Sequence, residues 1–96
     1  MAYIQIRYEC RAPAEVSPMT LDEVYETTLE QIAWIDAQGF PVTVNFSEHH
    51  GSEDGYLPSA ITMAAAAAAI TRHVRLQVNV LLPYRHPLQL AEEVVV

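Results

Sequence analysis

The sequence predicts an α/β domain with a parallel sheet, because segments with the alternation of strands take turns with helical segments. The predicted strands span 3–9, 42–48 and 74–82. The predicted helices span 20–38, 59–73 and 87–96. A strict order of strand, helix, strand, helix, strand, helix favours parallel strands joined by right-handed helical crossovers. The 96 residues are enough for one small domain.

Each predicted helix has a recognisable local signal. Thr20 and Glu23 have the spacing of a capping box, and Gly39 suits the left-handed conformation that ends many helices. The second helix contains the alanine run 64–69, which predicts either tight packing on the sheet or a helix–helix subunit interface. Pro87 fits the first turn of the third helix.

Composition excludes several classes of function. The formal charge is −7, with twelve acids and five basic residues, all of them arginine. This balance argues against partners rich in phosphate, both nucleic acids and anionic membranes. Cys10 is the single cysteine, and no segment resembles a signal peptide or a bilayer span, so we expect a cytoplasmic protein.

One face of every predicted strand is polar. In the second strand, Thr43, Asn45 and Ser47 oppose the apolar row that should receive the helices. A doubly wound sheet would need both faces apolar, so two interpretations remain: a two-layer domain with a wetted face, or part of a closed barrel. A barrel needs about 250 residues and eight strands. The apolar ending "LAEEVVV" favours the incomplete barrel.

The stretch "SEHHGSEDGY" contains the candidate catalytic residues. Alternation places His49 with the polar face and His50 with Phe46, so the two imidazoles should diverge, and we do not expect a metal site from this pair. His49 at a strand end could exchange protons, although a histidine that caps a turn is the commoner case. Tyr56 belongs either to a solvated turn or to a mobile lid. Cys10 either contacts a ligand or is a small buried residue.

Two segments resemble one known family. "SEHHGSEDGYLPSAITMAAAAAAITRHVRL" and "VNVLLPYRHPLQLAEEVVV" are similar to the N-terminal part of the bacterial luciferase-like, flavin-dependent monooxygenases. The sequences "EHH", "LLP", "HP" and "AEE" occur in the family's order and spacing, and their combination is specific.

The resemblance implies a (β/α)8 TIM barrel of which the first three β/α units are present. It implies a flavin-dependent monooxygenase or oxidoreductase that uses reduced FMN, or F420 as the alternative, and dioxygen on a small organic substrate. His49 would be catalytic, Val78 and Asn79 would contact the cofactor across a cis peptide bond, and Cys10 and Tyr56 would line the substrate pocket.

The resemblance also implies partners. Members of the family usually dimerise through the helices after strands two and three, so we expect a homodimer or an association with the remaining barrel. The alternative function is a non-catalytic, truncated α/β module that oligomerises or binds a partner protein. Continuation of the reading frame past Val96 into further strand–helix units would favour the enzyme.

Overall fold

In the computed structural model, which describes residues 3–96, three parallel strands form one sheet whose apolar face is covered by helices. The strands are β1 (Ile4–Tyr8), β2 (Val42–Ser47) and β3 (Arg75–Asn79), in the order β1-β2-β3. The helices are α1 (Leu21–Ala37), α2 (Ala60–Ile70) and α3 (Pro87–Val94), with a short 3₁₀ turn at Leu82–Tyr84. The predicted α/β class with parallel strands is confirmed.

The core lies between the sheet and the first two helices. Val44 and Phe46 of β2 and Ile32 of α1 are fully buried, and Met63 and Ala67 of α2 lie in the same cluster. Apolar residues of the outer strands pack against this cluster. Ile6 of β1 and Leu76 of β3, for example, are the register partners of Val44. The alternation predicted for the three strands is therefore present, with the polar residues on the opposite face.

Helix α1 begins and ends as its sequence predicts. The Thr20 hydroxyl accepts a hydrogen bond from the Glu23 amide, and the Glu23 carboxylate accepts one from the Thr20 amide at 2.7 Å. After the helix, Gly39 adopts φ +70°. A glycine takes this left-handed conformation without the steric cost that a side chain would add.

Helix α2 ends at Ile70, three residues before its predicted end, because the next backbone amides have another partner. The carboxylate of Asp36, near the end of α1, accepts hydrogen bonds from the amides of Arg72, His73 and Val74 at 2.6–2.9 Å. Asp36 is buried, and it connects the end of α1 to the start of β3.

The pKa of Asp36 predicts how the stability of this connection changes with pH. Burial raises the pKa, but the three amides and His73 outweigh it and lower the pKa from 3.8 to about 2. The contribution of the carboxylate is therefore complete above pH 3.8 and is lost as the pH falls through about 2. We expect Asp36→Asn to flatten this part of the stability–pH curve, measured by urea unfolding. Asp22→Asn, on the exposed first turn of α1, is the control, and equal curves for the wild type and Asp36→Asn would contradict the assignment.

The expected cis peptide bond between Val78 and Asn79 is wrong. Every peptide bond within residues 3–96 is trans. A regular parallel ladder explains this, because Asn79 pairs with Ser47 and its carbonyl accepts the Glu48 amide at 3.0 Å. Val78 keeps the strand alternation, so its side chain packs toward the core and not beside Asn79 on the polar face. Strand β3 ends at Asn79, three residues before its predicted end.

Helix α3 has the expected proline start, and His86 caps it by accepting a hydrogen bond from the Leu88 amide. None of the helices formed by residues 3–96 combines the length and the apolar character that a membrane crossing requires.

Candidate functional site

The polar face of the sheet carries a hydrogen-bonded row at the C-terminal half of the strands. Asn79 Nδ2 donates to Ser47 Oγ at 3.2 Å and to Asn45 Oδ1 at 3.4 Å, and Ser47 Oγ also donates to Asn45 Oδ1. Arg7 of β1 stands in register with Asn45. We call Arg7, Asn45, Ser47, Asn79 and the following His49 the polar row.

One donor of the polar row has no acceptor. Asn45 is 2% exposed, and its Nδ2 atom is buried without a hydrogen-bond partner among the described residues. A buried donor left unpaired costs roughly 1–3 kcal/mol. The polar row therefore contains one hydrogen-bond donor that the described residues leave unpaired.

His49 lies at the end of β2 and stacks on Tyr56. The centres of the two rings are 3.8 Å apart and the planes are tilted by 41°. Arg7 Nη2 donates to the Tyr56 hydroxyl at 3.2 Å, and the guanidinium of Arg11 lies 5.3 Å from the centre of the Tyr56 ring. His49, Tyr56 and Arg7 are thus brought together on the polar side, as the strand alternation predicts for His49.

The loop that carries Tyr56 packs against the end of the sheet, so Tyr56 does not lie in a solvated turn, and a mobile lid stays a prediction. Tyr56 is buried, its amide donates to Asp54 Oδ1, and the Leu57 carbonyl accepts the His49 amide at 2.9 Å. Gly55 has φ +69°, and a Cβ atom there would lie 2.4 Å from Leu21 Cδ1. The positive φ, rather than this contact, favours glycine here, because the nearest atom is the end of a leucine side chain that can move aside.

His50 belongs to a separate cluster around Glu48, which is 3% exposed. Its Nε2 lies 2.5 Å from Glu48 Oε1, while Nη2 and Nε of Arg85 donate to Glu48 Oε2 at 3.1 and 3.3 Å. Arg85 also binds Glu93 of α3 at 3.2 Å. We call Glu48, His50, Arg85 and Glu93 the Glu48 cluster. It connects the end of β2 to α3, and Arg85 therefore pairs with acids of the chain itself.

The pKa of Glu48 is below its ordinary value although the carboxylate is buried. Burial raises the pKa, and the hydrogen bonds and charges of His50 and Arg85 outweigh this effect. Glu48 is thus held as a carboxylate near neutral pH. Its contribution to stability is present above the unfolded-state pKa and is lost as the pH falls through the lowered value.

The two adjacent histidines have different neighbours, so they do not form a shared metal site. His49 faces Tyr56, whereas His50 faces Glu48 and the ring of Tyr84, whose centre is 4.9 Å away. Within residues 3–96 no three histidine, cysteine or acidic side chains gather in a way that could hold a metal ion.

Cys10 lies on the helix side of the sheet, so its expected place in the substrate pocket has no support. Its side chain is buried in the core, and Sγ is 3.8 Å from Thr28 Oγ1 of α1. Cys10 lies beyond the end of β1 and has φ +48°, so the turn after the strand, and not strand alternation, directs its side chain into the core. Burial raises the pKa of the thiol, partly offset by the Thr28 hydroxyl. The alternative interpretation, a small buried residue, describes it better.

Two charged residues, one in the polar row and one in the connection between α1 and β3, are missing from the sequence-based predictions. Arg7 could have been found by its position on the polar face of β1. Asp36 is an acid four residues after Ile32, in line with the apolar stripe of α1, and this placement is the signal of a buried carboxylate.

Comparison with known proteins identifies the family. The sequence model of the luciferase-like monooxygenases matches residues 6–96. The chain belongs to the luciferase-like monooxygenase family. The order of strands and helices and the position of His49 at a strand end agree with the resemblance seen in the "EHH" and "HP" motifs.

A solved structure supports the same family. The chain is similar to the monooxygenase RslO1 from Streptomyces bottropensis, with 36% sequence identity and a TM-score of 0.77. The match covers 97% of this chain and 28% of that chain, so the chain spans little more than a quarter of the neighbour's length. Three β/α units therefore correspond to part of a TIM barrel. A comparison with curated proteins gave no match.

Proposed function

We propose that this chain forms the first three β/α units of a flavin-dependent monooxygenase that acts on a small organic substrate. The observation that carries the proposal is the polar row with His49 at its end, in a chain that matches the luciferase-like monooxygenases. Chemistry at the C-terminal ends of barrel strands is the rule for this architecture. A cytoplasmic location is part of the proposal.

The polar row fits a flavin ring in its hydrogen-bonding chemistry. The amides of Asn45 and Asn79 and the hydroxyl of Ser47 lie within hydrogen-bond distance of one another. Asn79 Nδ2 donates to both neighbours, which leaves the Oδ1 atom of this exposed residue as an acceptor. The isoalloxazine ring offers an N–H donor. Asn79 is therefore our candidate contact for FMN, with F420 as the alternative.

Reduced flavin, when bound, supplies the electrons that insertion of one oxygen atom from dioxygen requires. The role proposed for His49 is to give or accept a proton at an imidazole nitrogen. Residues 3–96 contribute no hydrogen bond to either ring nitrogen, so both are available to a ligand. Tyr56 supports the ring of His49 and would line the substrate side.

Flavin titration of the full-length protein tests the proposal. We expect quenching of FMN fluorescence on binding, and Asn79→Ala should weaken the affinity roughly tenfold by removing one or two hydrogen bonds. Gln77→Ala is the matched control, because Gln77 lies two residues before Asn79 on the same face of β3. This variant should bind FMN nearly as the wild type does. Absence of binding to FMN, to reduced FMN and to F420 would rule out the flavin assignment.

One observation favours the second candidate, a non-catalytic module that oligomerises. An apolar groove runs between α2, β3 and α3, lined by residues that include Ala65, Ala68, Val78 and Val94. In the monooxygenase proposal, the remaining barrel or a second copy covers this groove. Sedimentation of the full-length protein separates the candidates: a flavin-binding barrel supports the enzyme, whereas a flavin-free oligomer supports the module.

A further inference from the structure

Arg7 carries a charge on the polar row that no acid of the described chain neutralises. Its hydrogen bond goes to the neutral hydroxyl of Tyr56, and no carboxylate within residues 3–96 forms an ion pair with it. Arg11, on the same tyrosine, behaves differently, because it binds Glu9 at 3.1 Å and Asp54 at 3.4 Å. Arg7 is exposed, and most of the N–H donors of its guanidinium have no acceptor among the described residues.

Two more polar groups lie near Arg7. Asn45 is its register partner on the neighbouring strand, and the Nδ2 atom of Asn45 is buried without an acceptor. A cationic donor with no acid beside it is complementary to an oxygen group that accepts and carries negative charge. The Tyr56 hydroxyl, which accepts from Arg7, keeps its own proton to donate to the same group.

We propose that Arg7 and Tyr56 form a binding site for an anionic oxygen of the substrate, such as a carboxylate. This inference rests on the proposed function in one respect, because the ligand is taken to be the substrate. The site adjoins His49 through its stacking on Tyr56, so an anion held there places the rest of the substrate beside the imidazole. Arg7 is thus a residue that determines specificity.

Calorimetric titration of the full-length protein with benzoate tests the site, with benzamide as the uncharged probe of the same shape. We expect Arg7→Gln to weaken benzoate binding roughly tenfold or more, since a charge-assisted contact is lost. Benzamide affinity should change little. Arg75→Gln is the matched control, because Arg75 lies on the same face of the sheet at the other end of the strands and should leave both affinities unchanged. Circular dichroism melting checks that both variants fold.

Three outcomes of the benzoate titration would contradict the proposal. Equal benzoate affinity of the wild type and Arg7→Gln, equal losses in Arg7→Gln and Arg75→Gln, or no benzoate binding at millimolar concentration would each overturn it. Titration with FMN and riboflavin distinguishes the source of the anion: a loss confined to FMN in Arg7→Gln would assign Arg7 to the cofactor phosphate and overturn the substrate assignment. Failure of the wild type to bind any flavin would remove the proposed function and leave the benzoate result standing.

Discussion

Replacing His49 by glutamine is expected to lower turnover roughly 10²–10⁴-fold, the range that a positioned general acid or base contributes. Glutamine keeps hydrogen-bonding capacity but cannot exchange a proton near neutral pH. His49 is exposed and stacks on Tyr56, so the substitution removes little buried contact. Oxygen consumption with saturating reduced flavin and substrate is the measurement, made on the full-length protein.

The neighbouring histidine provides the control for this experiment. His50→Gln makes the same chemical change one residue away, but its ring binds Glu48 on the other side of the strand. We expect it to lower turnover far less than His49→Gln does. Similar losses for the two variants, or normal turnover of His49→Gln, would show that His49 has no part in the chemistry.

The second large effect is expected at Glu48. Glu48→Gln removes the charge that His50 and Arg85 share at a nearly inaccessible side chain, and hydrogen bonds to charged groups contribute roughly 1.5–3 kcal/mol. The free energy of unfolding should fall by a similar amount, measured with urea. Amide hydrogen exchange should also quicken in α3, because Arg85 connects Glu48 to Glu93 of that helix.

Glu93→Gln is the matched control for Glu48. It removes the other carboxylate bound to Arg85, but this side chain is one-third exposed, and an exposed ion pair contributes about 1 kcal/mol or less. A loss of stability in Glu93→Gln as large as that in Glu48→Gln would contradict the assignment of Glu48 as the centre of the cluster.

The sequence was sufficient to predict the elements and the face on which His49 lies, because both follow from local periodicity. Alternation along β2 separates Asn45 and Ser47 from Val44 and Phe46, and the structure keeps that separation. The strong local signals of Thr20, Glu23 and Gly39 set the ends of α1. These predictions need no knowledge of how distant segments meet.

The contacts that define the two clusters could not be predicted in the same way, because they join residues far apart in the chain. Arg85 binds Glu48 at a separation of 37 residues, and Arg7 binds Tyr56 at a separation of 49. Asp36 takes amides that local propensity would have left in α2. The cis bond was expected from a family resemblance, and the regular pairing of Asn79 with Ser47 excludes it here.

The exclusively parallel pairing of β2 has a consequence for how the chain folds. Neither neighbour of β2 is joined to it by a hairpin, so no strand pair can form until a helix-containing segment has closed a long loop. Such non-local closure slows folding and leaves strand edges exposed while it proceeds. Nascent chains should therefore acquire helical content before any sheet, and β2 becomes protected only once both crossovers are complete.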